Sequence, residues 1–167
     1  MKRMRGRLAV LLSLVTLAAC TTFAGCNTVP ATTAPQTTES AVKTVLGTTL
    51  DESTPSIVAI TATKTVEGKS LFDAMRAWQA EKELDFTYSD SEFGPYLLSV
   101  NGKTPDAEKN EFWAIYTSLT TYQGVSYSST EYGSYDFGGT LIGSASYGVS
   151  GLPLVEGCVY VLTIGTY

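Results

Sequence analysis

One stretch of this chain has the spacing of an amphipathic helix, and nearly every other apolar run has the composition of a strand. Residues 68–83 read GKSLFDAMRAWQAEKE. Ser70 is a good N-cap, and Asp73 three residues on gives a near capping box with its charge at the positive end of the helix. Leu71, Met75 and Trp78 recur at i, i+4 and i+7 and so share a face. Ala74 and Ala77 let that face approach a neighbour closely. Arg76, Gln79, Glu81 and Lys82 supply positions for water. A single helix with this stripe needs a sheet to cover it.

The strands are legible on either side. Residues 57–63 (IVAITAT) are β-branched and apolar on both faces, as a central strand requires. Residues 85–89, 96–101, 112–117 and 158–166 follow as further strands, with Asn101-Gly102 a tight-turn signal. In FWAIYT, Phe112, Ala114 and Tyr116 face one way while Trp113, Ile115 and Thr117 face the other. Residues 118–151 are rich in Ser, Thr, Tyr and Gly. Gly138-Gly139 with Thr140-Leu141-Ile142 suggests a hairpin there, but so long a segment between strands reads as functional or disordered.

The N-terminus reads as an export signal. Lys2, Arg3, Arg5 and Arg7 precede a short apolar run from Leu8 to Leu17, too short for a spanning helix of about 20 residues. Leu17-Ala18-Ala19-Cys20 resembles the lipobox of bacterial lipoproteins, and Phe23-Ala24-Gly25-Cys26 is the alternative. The domain expectation is a signal peptide over 1–19, a tether over 20–54 and one folded domain over 55–167. Residues 27–54 carry nine threonines and two prolines and few large apolar side chains, so they cannot repay the entropy of ordering. Within them, residues 41–50 could add an edge strand. The chain is then expected to be exported and lipid-anchored at the outer face of the bacterial cell membrane through Cys20 or Cys26.

Charge narrows the partners. Losing the four basic residues of the signal leaves seven Lys and Arg against sixteen Asp and Glu, so the net charge goes from −5 to −9. Such a domain repels nucleic acid and anionic lipid, and no nucleic-acid partner is expected. Histidine is absent, which removes the commonest acid–base group and metal ligand. No G-x-S-x-G elbow accompanies the serines. Asp106, Glu108 and Glu111 lack the spacing of a calcium loop. Neither an enzyme nor a resident metal or cofactor is expected, and Cys158 reads as a buried free thiol.

Four pieces in order carry a resemblance: EGKSLFDAM (67–75), FGPYLLSVNG (93–102), FWAIY (112–116) and LVEGCVY (154–160). Together they resemble the transcobalamin-like C-terminal domain family over about residues 57–165. The resemblance implies an α+β fold, a β-grasp-like mixed sheet packed on one amphipathic helix. It also implies binding of a small ligand, a corrinoid of the cobalamin type being the first candidate, for capture or hand-over to a transporter. Trp113 and Tyr116 fall on the family's aromatic strand, where a flat face could stack a planar ligand. The ligand-facing candidates are Tyr96, Trp113, Tyr116 and Tyr147. The alternative is a structural or adhesive module whose Tyr-rich face meets a protein or cell-wall partner.

Overall fold

The computed structural model describes residues 42–54 and 56–167. The expected signal peptide, Cys20, Cys26 and the tether up to residue 41 lie outside them. Strand dominates: β1 (Thr48–Thr54), β2 (Ile57–Ala62), β3 (Val66–Ser70), β4 (Phe86–Ser89), β5 (Tyr96–Val100), β6 (Glu111–Thr117), β7 (Thr121–Tyr122), β8 (Val125–Ser126), β9 (Ser128–Phe137), β10 (Thr140–Ala145), β11 (Pro153–Leu154) and β12 (Val159–Thr166). Among the described residues one α-helix, α1 (Leu71–Ala80), sits between β3 and β4, and a single 3-10 turn (Ala107–Lys109) precedes β6. The fold is α+β.

The helix is shorter than its amphipathic stretch because both ends are capped inside it. Ser70 is extended, and its Oγ accepts from the Asp73 amide at 3.3 Å while Asp73 Oδ2 accepts from the Ser70 amide at 2.9 Å. That reciprocal pair is a full capping box, worth about 1 kcal/mol. The Ser70 amide is the main reason the Asp73 carboxyl is held below its ordinary range. Two more first-turn amides find partners in a distant loop: Leu71 donates to the Leu152 carbonyl and Phe72 to that of Val149. At the far end Lys82 takes φ +62, its amide reaching the Gln79 carbonyl and that of Glu83 the Trp78 carbonyl, a Schellman closure.

The main sheet has six strands in the order β1-β2-β12-β6-β10-β9. Every registered pair in it is antiparallel, where a mixed sheet was expected. The reason lies in the connection through α1. The strand that follows the helix, β4, does not return beside β2; it pairs with β5 in a separate hairpin, so no β-helix-β crossover closes a parallel pair.

Alternation along the strands sorts the side chains. Val58 and Ile60 of β2, Tyr160 and Leu162 of β12 and Trp113 of β6 join the helix residues Leu71, Ala74, Met75 and Trp78 in one core. Ile60 stands opposite Tyr160, and Leu162 opposite Ile115. Ala59, Val161 and Ile142 make a smaller cluster on the other face, sheltered by Tyr116, Tyr135 and Phe137. Each fully buried Leu or Ile contributes about 1.5–3 kcal/mol. The helix-side core therefore holds the fold.

The folded region begins before Pro55. β1 pairs with β2 from Thr48 opposite Ala62, so the end of the expected tether is the edge strand that the 41–50 alternative allowed, displaced a few residues onward. Its anchor is buried Thr48, whose Oγ1 accepts from Trp78 Nε1 at 2.8 Å and donates to the Val45 carbonyl at 2.7 Å. A hydroxyl with a donor and an acceptor in place can be buried without penalty. Threonine here serves packing as well as spacing.

The Tyr-rich segment is also structural. It supplies β9 and β10, joined through Gly138 and Gly139 at φ +58 and +84, and it returns with Val149 and Leu152 fully buried against the helix start.

Candidate ligand-binding cleft

The site follows from how β6 is paired. Against β12 the register runs the whole length of β6, from Glu111 opposite Thr166 to Thr117 opposite Tyr160. Against β10 it covers only Thr117 opposite Gly143 and Tyr116 opposite Ser144. Beyond Ala145 the chain veers off, and the Ser146 amide bonds to the Tyr127 carbonyl instead. Residues 111–115 are thus left without a registered strand on that side, among the described residues.

The far side of the gap is shaped by a bulge. Along β9, Ser134 pairs with Gly143 and Ser129 pairs with Ser144, so residues 130–133 loop out between successive partners. Gly133 at φ +133 allows the detour, and a Cβ there would lie 3.7 Å from the Tyr116 ring. Gly143 permits the close approach: a Cβ there would lie 2.8 Å from the Ser129 carbonyl carbon.

Between the diverging strands lies a cleft of about 770 Å³. Its floor is the consecutive run Phe112, Trp113, Ala114, Ile115 and Tyr116; Tyr132 and Gly133 come from the bulge, residues 144–148 form the opposite wall, and Gly165, Thr166 and Tyr167 close one end. Phe112 and Tyr167 rings meet at 5.4 Å, Tyr116 and Tyr135 at 5.6 Å, and Tyr127 braces Tyr147 at 5.4 Å. These are contact distances for aromatic pairs. Trp113 is only 7% exposed, and its Nε1 is buried with no protein partner, a donor that costs about 1–3 kcal/mol while unpaired. No charged side chain among the described residues lines the cleft.

Of the four sequence candidates, Trp113, Tyr116 and Tyr147 come together here. Tyr96 does not. It stands on β5, 55% exposed, in the hairpin that packs on the helix through Phe86, Tyr88 and Phe72. A turn-flanked tyrosine carries no sign of which sheet its strand will join. Phe112 and Tyr167 line the cleft without being sequence candidates, and Tyr132 had a place only within the Tyr-rich face. Phe112 could have been found, since alternation puts it on the face of Tyr116; Tyr132 could not, because nothing local announces the bulge.

Other chemistry-bearing residues are locally engaged. Asp106 Oδ2 pairs with Lys109 at 2.9 Å and Oδ1 accepts from the Glu108 amide, and the lysine chiefly holds that carboxyl below its ordinary range. Glu111 Oε2 accepts from the Asp106 amide. No group of three metal-capable side chains gathers among the described residues. Cys158 is half-buried rather than buried, and burial pushes its thiol above the ordinary range, away from the thiolate a nucleophile needs. No protein-family model matches the chain, and no curated protein and no solved structure matches it, so the cleft stands on its own geometry.

Proposed function

We propose that this chain is a surface-anchored lipoprotein whose single domain binds a small, planar, largely uncharged ligand in the β6 cleft, without catalysing a reaction on it. The observation that carries the reading is the meeting of Trp113, Tyr116 and Tyr147 in one open, uncharged cleft. Tyrosine walls with a few hydroxyls favour stacking on a planar molecule and a small number of orienting hydrogen bonds, with Trp113, 7% exposed in the helix-side core, backing the strand beneath them. The resemblance to transcobalamin-like C-terminal domains adds a corrinoid as first candidate and hand-over to a transporter as its purpose. A helix laid on one sheet suits the β-grasp-like fold implied by the same resemblance, with antiparallel β2–β12 pairing as a departure from a mixed sheet. An open cleft would cover one side of a corrinoid rather than enclose it.

The test is titration of the protein with cobinamide and cobalamin, following visible absorbance and tryptophan quenching. A site worth about 5.5 kcal/mol half-saturates at roughly 100 μM. No spectral change up to that concentration would overturn the corrinoid reading. The second reading, an adhesive module, draws support from Tyr132, which is 79% exposed on the bulge. Loss of adhesion to cell-wall material on Tyr132→Ala, with no small-molecule binding, would favour it.

A further inference from the structure

Five consecutive residues, Phe112 to Tyr116, line the same cleft. Side chains of a strand alternate between faces, so five in a row can meet one space only along the backbone edge. The cleft is therefore as much a strand edge as an aromatic pocket. Over residues 112–115 it offers about 13 Å of edge at 3.3 Å per residue, enough for four residues of an added strand.

Protein edges of this kind are normally blocked by lysine, proline or a bulge in the exposed strand. Residues 112–115 contain none of the three. Instead the obstacle is set back across the cleft, on β9, where the bulge at 130–133 holds the space open. Charge points to the occupant. Lys109 is the last basic residue in the sequence, and residues 110–167 carry Glu111, Glu131, Asp136 and Glu156 with no cation among them. The strands around the cleft thus present an uncharged interior within a wholly anionic segment.

We infer that residues 112–115 of β6 are a strand-addition site for an extended segment of a partner protein, uncharged where it lies in the cleft and flanked by lysine or arginine. Main-chain hydrogen bonds to the edge supply affinity, and alternate side chains of the segment meet the Tyr132 and Tyr147 sides. The acidic surroundings attract the flanks and speed encounter. This rests on the cleft as the binding site but not on a planar ligand; a strand and a corrinoid would exclude each other, which is what hand-over to a partner requires.

The test uses the full-length protein in detergent micelles and three fluorescent nonapeptides read by anisotropy. The first is Lys-Lys-Val-Thr-Val-Thr-Val-Lys-Lys. The second carries two backbone N-methyl groups on the edge that would face β6, and the third has Glu in place of every Lys. The first is expected to bind. N-methylation should weaken it about tenfold, the loss of two main-chain hydrogen bonds of roughly 0.7 kcal/mol each, and the Glu peptide should bind more weakly, with the gap narrowing as salt is added. Tyr132→Ala, at an exposed position that the fold does not depend on, should weaken the first peptide as well. No binding of the first peptide, equal binding of the N-methylated one, or a peptide-free dimer using this edge would overturn the inference. Cobinamide is expected to displace the peptide. Peptide binding without any cobinamide binding would defeat the corrinoid reading alone.

Discussion

Replacing Trp78 tests how the helix is held. Its side chain is 2% exposed, packed in the core with Leu71, Met75, Ile60 and Leu162, and its Nε1 donates to buried Thr48 at 2.8 Å. Trp78→Ala removes the ring and leaves a cavity, a change that costs about 3–5 kcal/mol. It also leaves Thr48 Oγ1 without its donor, although that hydroxyl keeps its own bond to the Val45 carbonyl. A domain of this size has about 5–15 kcal/mol in total, so the variant should be near the edge of folding. Trp78→Phe keeps most of the packing and isolates the hydrogen bond. In a cycle with Thr48→Val, the coupling should be about 1 kcal/mol. Urea unfolding followed by far-UV circular dichroism measures both, since the peptide signal does not depend on the altered ring. A Trp78→Ala cost below about 1 kcal/mol, or no coupling with Thr48, would refute the claim that this side chain ties β1 and α1 together.

Lys82 closes the helix at φ +62, a conformation that disfavours side chains, so Lys82→Gly should stabilise by about 1 kcal/mol in the same assay. Gly143→Ala would set a Cβ against Ser129 backbone that cannot swing aside, and should lower the melting temperature through about 1–3 kcal/mol of overpacking while also disturbing the bulge. Asp73 has its carboxyl held below the ordinary 3.8, so its contribution is complete above that value and is lost as the pH falls through the lower folded value. Asp73→Asn should therefore destabilise at neutral pH and flatten the loss of stability below about pH 4, as seen in acid-unfolding curves.

Much of this arrangement could be read from local pattern. The cap at Ser70, the Leu71–Met75–Trp78 stripe and the alternation in β6 are each set by residues within a few positions of one another, and the structure has them as the pattern implies. Pairing between distant segments was not legible. Nothing in TTLDEST says that Thr48 will receive a hydrogen bond from a tryptophan thirty residues away. The Tyr-rich segment hid β9 because its apolar side chains are diluted by serine and glycine, and its buried side chains, Leu119, Ser128, Ile142 and Val149, are scattered without a period. For the cleft, chemistry was visible in Trp113, Tyr116 and Tyr147, but its shape depends on where β10 leaves β6 and where β9 bulges. Tyr96 shows the limit: an aromatic residue on a recognised strand, carried by a different sheet from the cleft.

The most direct test of the cleft as binding site is an amide NMR titration of the protein with cobinamide and, separately, with the Lys-flanked peptide. Shifts are expected only at residues 112–116, 132–133 and 144–148, with the indole signal of Trp113 moving and that of Trp78 unchanged. Shifts centred on Tyr96 and the β4–β5 hairpin, or a cleft that stays silent under both titrations, would contradict that expectation.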